Sequence, residues 1–458
     1  MSVDWLILQS AISLLLLLIQ APAAFILLSR LLKGPSRRSP VEPHTATPEL
    51  FGAVSVVVPT LNEAERISPC LAGLTRQSYE VREIIVVDSR SQDGTPDLVK
   101  AAQQKDPRFR LINDDPLPSG WVGRPWALHN GFLHMAGLGT RDWGQATGDK
   151  RLGTSDWGQA TGDNFQFPIP NSQSPIPNSQ FPEWFLGIDA DTQPSPGLVA
   201  GLVKAAEAEG YDLVSLSPQF ILKYPGEWWL QPALLMTLLY RFDPAGTNTQ
   251  DPSRVMANGQ CFLCRRSVLE AVGGYTSARS SFCDDVTLAR NIASGGFKVG
   301  FLDGAKVLKV RMYEGAAETW NEWGRSLDLK DASSSGQIWG DLWLLTCTQG
   351  LPLLASFILL SWLVMGNSSI PVLAAAGLNL FLLLIRFALL LAIAPSYESF
   401  MRSPHVAPLN DRVETRNFPF LHLPVYFYLS PLADPLAVLR IFLSAFRTPK
   451  QWRGRNYG

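Results

Sequence analysis

Charge is scarce in this sequence and neither sign prevails. Only 17% of the 458 residues are Asp, Glu, Lys or Arg, with 40 acidic side chains against 39 basic ones. No field of one sign extends over the chain, which argues against a nucleic-acid partner. Cysteine is sparse too: Cys70, Cys261, Cys264, Cys283 and Cys347 are scattered and odd in number. That argues against a disulfide framework and fits a reducing compartment. Cys261 and Cys264 form a C-x-x-C, but no second Cys or His pair lies nearby to complete four zinc ligands. Both read as small buried residues.

Apolar length takes the place of charge, and it is concentrated toward the two ends. Residues 5–32 are almost continuously apolar and run into Arg30, Lys33, Arg37 and Arg38. This predicts a spanning helix whose C-terminal flank is cytoplasmic. The competing reading, a cleaved signal peptide, expects a shorter run with its basic residues in front. Residues 343–365 and 370–394 are each long enough to span, and Arg386 inside the second must face protein or a headgroup. A further stretch, 421–446, is broken by Pro424, Pro431, Asp434 and Pro435. It is expected to lie along the interface, which keeps the basic tail of Arg447, Lys450, Arg453 and Arg455 inside. The expectation is a multi-pass protein of the cell (plasma) membrane with three crossings and a cytoplasmic catalytic domain. Its parts are an anchor at 1–33, an α/β domain at 50–335, two membrane helices within 343–394, and an interfacial helix with a basic tail at 395–458.

Between the apolar ends the pattern is that of an α/β domain. Residues 54–58 and 84–87 read as buried parallel strands, with helical spacing over 63–77 between them. The sheet is expected to resume at 184–188 and 213–216. Residues 142–182 interrupt it: Asp-Trp-Gly-Gln-Ala-Thr-Gly-Asp begins at 142 and again at 156, and Pro-Ile-Pro-Asn-Ser-Gln at 168 and again at 175. Copies this short and poor in aliphatic residues cannot stack into a solenoid, so a disordered inserted loop is expected.

Candidate chemistry sits where apolar strands run into polar loops, the edge on which open α/β sheets bind ligands. The first strand leads into Asn62-Glu63, the second into Asp88 and Asp93, and the strand at 184–188 into Asp189-Ala190-Asp191. Two carboxylates separated by one small residue can approach a divalent cation together with a diphosphate, because Mg²⁺ and Mn²⁺ prefer hard oxygen ligands. Each motif alone is also compatible with a turn capped by Asp. Asp284-Asp285, ahead of a helical pattern, is likewise compatible with acids at a helix N-terminus.

Taken in order, these segments resemble the family 2 glycosyltransferases, whose GT-A fold is a Rossmann-like sheet. The resemblance implies that Glu63, Asp88 and Asp93 hold the base and ribose of a nucleotide-sugar, and that Asp189 and Asp191 hold its diphosphate and a Mg²⁺ or Mn²⁺ ion. It also implies that Asp285 is the general base, with Asp284 beside it where the family more often has Glu. Such a base is needed because an acceptor hydroxyl must lose its proton as it attacks the anomeric carbon. Asn258 and Gly259 match a Gly-containing element near the acceptor pocket, although a structural turn would use them equally well.

The segment 120–127, with Gly120, Trp121, Gly123 and Arg124, is similar to the G-W-x-G-K-x-x-A stretch of the carotenoid and hopanoid branch, where Arg124 would meet a phosphate. The segment 452–457, with Arg455, resembles the W-K-G-R ending of that branch. The implied reaction is inverting transfer of a sugar to a hydroxyl of a lipid-like acceptor in the membrane, carotenoids of the myxol type first. Hopanoids, glycerolipids or a polyprenyl phosphate fit the same layout, and a non-catalytic scaffold on a nucleotide fold is the rival from another class.

Overall fold

The structure, a computed structural model, describes residues 3–114, 116–135, 182–324, 327, 329–398 and 423–446, and the backbone of 451–452 and 455–456. The repeats at 142–181 and the basic residues Arg447, Lys450 and Arg453 lie outside the described residues. The chain forms two compact units, one of Val41–Leu216 with Ala257–Gly300 and one of Met1–Pro40, Ser217–Met256 and Phe301–Gly458.

The first unit is built on a seven-stranded sheet. Its strands are β1 (Val54–Thr60), β2 (Val81–Asp88), β3 (Phe109–Asn113), β4 (Trp184–Ile188), β5 (Leu213–Ser217), β6 (Cys261–Arg265) and β7 (Val299–Asp303), in the order β3-β2-β1-β4-β6-β5-β7. β1, β2, β3 and β4 pair in parallel, while β6 runs antiparallel between β4 and β5. This is the expected α/β, Rossmann-like arrangement. Val54, Val56, Val57 and Val58 of β1 are fully buried, as a strand covered on both faces requires. Burial of each such side chain contributes about 1.5–3 kcal/mol.

After α1 (Val3–Leu31), the helix expected over 63–77 spans only Ile67–Thr75 (α2), and α3 (Thr95–Lys105) follows β2. α2 starts late because Asn62 adopts a left-handed φ of 54° and sends the chain through a turn first. β3, β6 and β7 lie outside the stretches expected to form strands. The apolar core of β6 is a four-residue run, Cys-Phe-Leu-Cys, closed by Arg265, too short to announce a strand by periodicity. Cys261 and Cys264 are buried and free in it. Helix α4 (Gly123–Met135) crosses close to β1, because a Cβ on Gly131 would run into the side chain of Val57.

The second unit is helical. Three helices are long and apolar enough to cross a membrane, spanning Asp4–Ser36, Ser335–Val364 and Ile370–Ser396. The second is interrupted by a π-helical turn, Thr346–Gly350. Large apolar side chains such as Phe25, Phe357 and Leu384 point outward, while polar ones pair inside. Gln20 and Asn379 exchange side-chain hydrogen bonds of 3.1 and 2.9 Å. Arg386 is buried and forms two hydrogen bonds to Asp434, of 2.7 and 3.0 Å. The guanidinium thus finds a protein partner instead of lipid. Asp434 opens a helix, Asp434–Phe446, that covers the second half of the stretch expected to lie at the interface.

Candidate active site

The parallel strands end on one edge, and their loops are tied to one another. Past β1, the backbone N–H of Asn62 donates to Ser91 Oγ at 2.8 Å and its Oδ1 accepts from Gln92 N at 2.9 Å. Asp88 accepts from Thr60 Oγ1 at 3.2 Å and from Ser91 N at 3.0 Å. Asp93 accepts from Ala64 N, Thr95 N and Thr95 Oγ1 at 2.8, 3.1 and 2.6 Å. Burial pushes the Asp93 carboxyl up, but these bonds outweigh it and hold the group below its ordinary range. Glu63 is buried beside them, its N–H donating to Thr95 Oγ1 at 2.8 Å. Glu63, Asp88 and Asp93 therefore share one pair of loops. Asp88 and Asp93 also organise those loops, as turn-forming Asp residues do.

The next strand end brings together residues far apart in sequence. Arg124, in the first turn of α4, donates from Nε and Nη2 to Asp189 Oδ1 at 3.0 and 2.9 Å. Its Nη2 also reaches the carbonyl of Gly259 at 2.8 Å, and its Nη1 is ion-paired with Asp284 Oδ2. Gly259 in turn donates its N–H to Asp285 Oδ2 at 2.6 Å. A Cβ on Gly259 would collide with the guanidinium, so glycine here leaves room for Arg124. Asn258 spends its side chain on Gln260, at 3.0 Å in each direction.

The four carboxylates are not equivalent. Asp284 and Asp285 form the first turn of α5 (Asp284–Ser294), where the helix dipole favours negative charge. Asp284 is 3% exposed, and burial pushes its carboxyl up to about 7, with the adjacent Arg124 opposing the shift and Asp285 adding to it. Asp285 is half-buried and so open to a reactant. Burial pushes Asp191 up to about 8, and the charge of Asp189 beside it adds to the shift. Asp191 Oδ1 is inaccessible to solvent and accepts no hydrogen bond among the described residues. A buried carboxylate oxygen without a donor is costly, and a cation satisfies it. Among the described residues no three His, Cys, Asp or Glu side chains enclose a metal by themselves. A divalent ion, if held by Asp189 and Asp191, would need diphosphate or water oxygens to complete its shell, which is the usual habit of Mg²⁺.

Sequence reasoning missed His129 and Asp114. His129, on α4, lies with its ring centroid 5.1 Å from that of Trp121 and 6.0 Å from that of Trp126, and its Nδ1 accepts from Tyr275 N at 3.4 Å. Asp114 follows β3 and accepts from Ser89 Oγ at 2.6 Å, while its carbonyl accepts from Trp126 Nε1. Neither carries a motif that would single it out. Arg455 lies in a two-residue strand paired with Gln451–Trp452, and its side chain is outside the described residues.

Two family descriptions match the chain: residues 55–137 match glycosyl transferase family 2, and residues 184–394 match glycosyl transferase family group 2. Both matches are to glycosyltransferase domains, and the sheet between and beside them is a mixed α/β, Rossmann-like one. Glycosyltransferase AglE from Haloferax volcanii is 34% identical over 73 residues, covering 16% of this chain and 24% of the relative. Among solved structures, the mannosyltransferase PcManGT from Pyrobaculum calidifontis, in complex with GDP-Man and Mn²⁺, aligns with a TM-score of 0.41 at 18% identity, over 82% of this chain and 96% of its own. The glucosyl-3-phosphoglycerate synthase of Mycobacterium tuberculosis aligns with a TM-score of 0.35 at 18% identity, over 60% and 78%. TarS from S. aureus, with UDP-GlcNAc, aligns with a TM-score of 0.36 at 14% identity, over 66% and 75%.

Proposed function

We propose that this enzyme transfers a hexose from a nucleotide-sugar to a hydroxyl of an apolar membrane acceptor, with inversion at the anomeric carbon. The observation that carries the reading is the cluster of Asp189, Asp191, Asp284 and Asp285 around Arg124 at the sheet edge. Glu63, Asp88 and Asp93 are assigned to the base and ribose, and Arg124 to the diphosphate, which it can meet as a planar fork. Asp189 and Asp191 are assigned to a Mg²⁺ or Mn²⁺ ion, which when bound stabilises the leaving nucleoside diphosphate. Asp285 is the base, since of the adjacent pair it is the more exposed and the one not ion-paired to Arg124. It takes the acceptor proton at a carboxylate oxygen as the hydroxyl attacks from the face opposite the leaving group. Buried Asp284 holds Arg124 in place.

The acceptor is assigned to the membrane because the same chain carries three helices of spanning length. The segment around Gly120 and Arg124 and the ending around Arg455 are the support for a carotenoid of the myxol type, glycosylated at its 2'-hydroxyl. The cell membrane is part of the same reading, and the basic residues Arg30, Lys33, Arg37 and Arg38 after the first helix support a cytoplasmic catalytic domain. The test is mass spectrometry of pigment and lipid extracts from cells carrying the wild-type chain or Asp285→Asn. One apolar species lighter by a hexose or deoxyhexose in the variant supports the reading, and identical extracts overturn the membrane acceptor.

A further inference from the structure

We infer that Arg124 is an internal cation that occupies one oxygen of Asp189 and makes metal binding conditional on the donor diphosphate. The inference rests on the assignment of Asp189 and Asp191 to a divalent ion. Two of the three nitrogens of the guanidinium converge on one oxygen, Asp189 Oδ1, at 3.0 and 2.9 Å. The rest of the fork is fixed by the Gly259 carbonyl at 2.8 Å and by Asp284. Asp189 therefore already has a cation, whereas Asp191 Oδ1 next to it has no donor among the described residues. A metal arriving alone meets a carboxylate already paired with a cation that several hydrogen bonds hold in place, and among the described residues it would gain too few protein oxygens in return.

A nucleoside diphosphate changes both sides of that exchange. It supplies the missing oxygens to the metal, and it offers Arg124 another anion, one that a planar fork can meet with two parallel bonds. The exchange conserves charge pairing: the guanidinium passes from Asp189 to a phosphate while Asp189 passes from the guanidinium to the metal. Gly259 makes the arrangement possible, because any side chain there collides with the fork. Arg124 is in this sense a positioning residue for the metal as well as a contact of the donor.

The experiment measures binding of Mn²⁺ alone, by the electron paramagnetic resonance signal of the free ion, to the full-length protein in detergent. Wild type, Arg124→Ala and Gly259→Ala are compared, with and without UDP or GDP. Gly259→Ala keeps every charge and only dislodges the fork, which separates loss of the plug from a general gain in negative potential. Without nucleotide, both variants are expected to bind Mn²⁺ more tightly than wild type by about fivefold or more, the lower end of ordinary coupling between sites. With Mn²⁺ present, Arg124→Ala is expected to bind the nucleotide more weakly, so the two ligands move in opposite directions, which simple damage to the site would not produce. Unchanged or weaker Mn²⁺ binding by folded Gly259→Ala, in a protein whose wild type binds Mn²⁺ with UDP or GDP, overturns the inference. A wild type that binds no Mn²⁺ even with either nucleotide overturns the metal assignment itself.

Discussion

The backbone N–H of Gly259 donates to Oδ2 of Asp285 across 2.6 Å. One oxygen of the assigned base is thereby anchored to the loop that also holds Arg124, while the side chain stays half-exposed. A base fixed in this way is expected to act on the chemical step and not on donor binding. Asp285→Asn keeps the size of the side chain and an acceptor for Gly259 but cannot take a proton. It is expected to lower kcat by about 10²–10⁴-fold with the nucleotide-sugar Kd within about twofold of wild type. Calorimetric binding beside steady-state rates checks this, and an equal loss in both would return Asp285 to a donor-binding role.

The approach of α4 to β1 sets a second expectation. Gly131 has no room for a Cβ against Val57, and Val57 is fully buried in the sheet. Gly131→Ala should overpack this contact and destabilise the α/β unit by roughly 1–3 kcal/mol, despite the better helix propensity of alanine. Thermal unfolding measures it. A variant as stable as wild type would mean that α4 can lift off β1, and Arg124, one end of the same helix, would then be less well fixed.

The strands that end in Glu63, Asp88 and Asp189 could be read in the sequence because they are aliphatic runs that stop at polar loops. Periodicity and composition both report that transition. The partnership of Arg124 with Asp189 and Asp284 could not be read, since it joins the first turn of a helix, a strand end and another helix start. No local pattern encodes which of several acids a guanidinium will meet. β6 escaped for a related reason: Cys261–Arg265 is short, and only its neighbours β4 and β5 make it a strand. Asn258 and Gly259 were visible as a polar, glycine-containing turn. What glycine is for there, space for a guanidinium, emerges only from packing.

His129 gives a pH dependence outside the carboxylate cluster. It is 4% exposed, and burial pushes it from an ordinary 6.5 down to about 4. The folded state prefers the neutral ring, so the contribution is fully present above pH 6.5 and is lost as pH falls through about 4. The shift corresponds to on the order of 3 kcal/mol across that window. His129→Gln keeps an acceptor for the N–H of Tyr275 but has no charge to gain. Its melting temperature is expected to fall less steeply than that of wild type between pH 6.5 and 4, measured as a difference so that acid effects on other groups cancel. Parallel curves would mean that the ring charges without penalty.

The pair of Arg386 and Asp434 allows the last expectation, which concerns the helical unit. Both side chains are buried, at 2% and 2% exposure, and Asp434 also accepts from Gln349 Nε2 at 3.0 Å. The ion pair ties the helix Ile370–Ile393 to the helix Asp434–Phe446. Removing one partner leaves the other charge buried and uncompensated, a loss of roughly 3–5 kcal/mol, whereas replacing both by apolar groups can be close to neutral. Arg386→Met and Asp434→Leu are therefore each expected to lower the melting temperature in detergent strongly, and the double variant to recover most of the loss. If the double variant is no better than the worse single one, the pair does more than cancel charge. Its geometry would then be what holds the Asp434–Phe446 helix in place, because Arg386 forms two directed hydrogen bonds that methionine and leucine cannot replace.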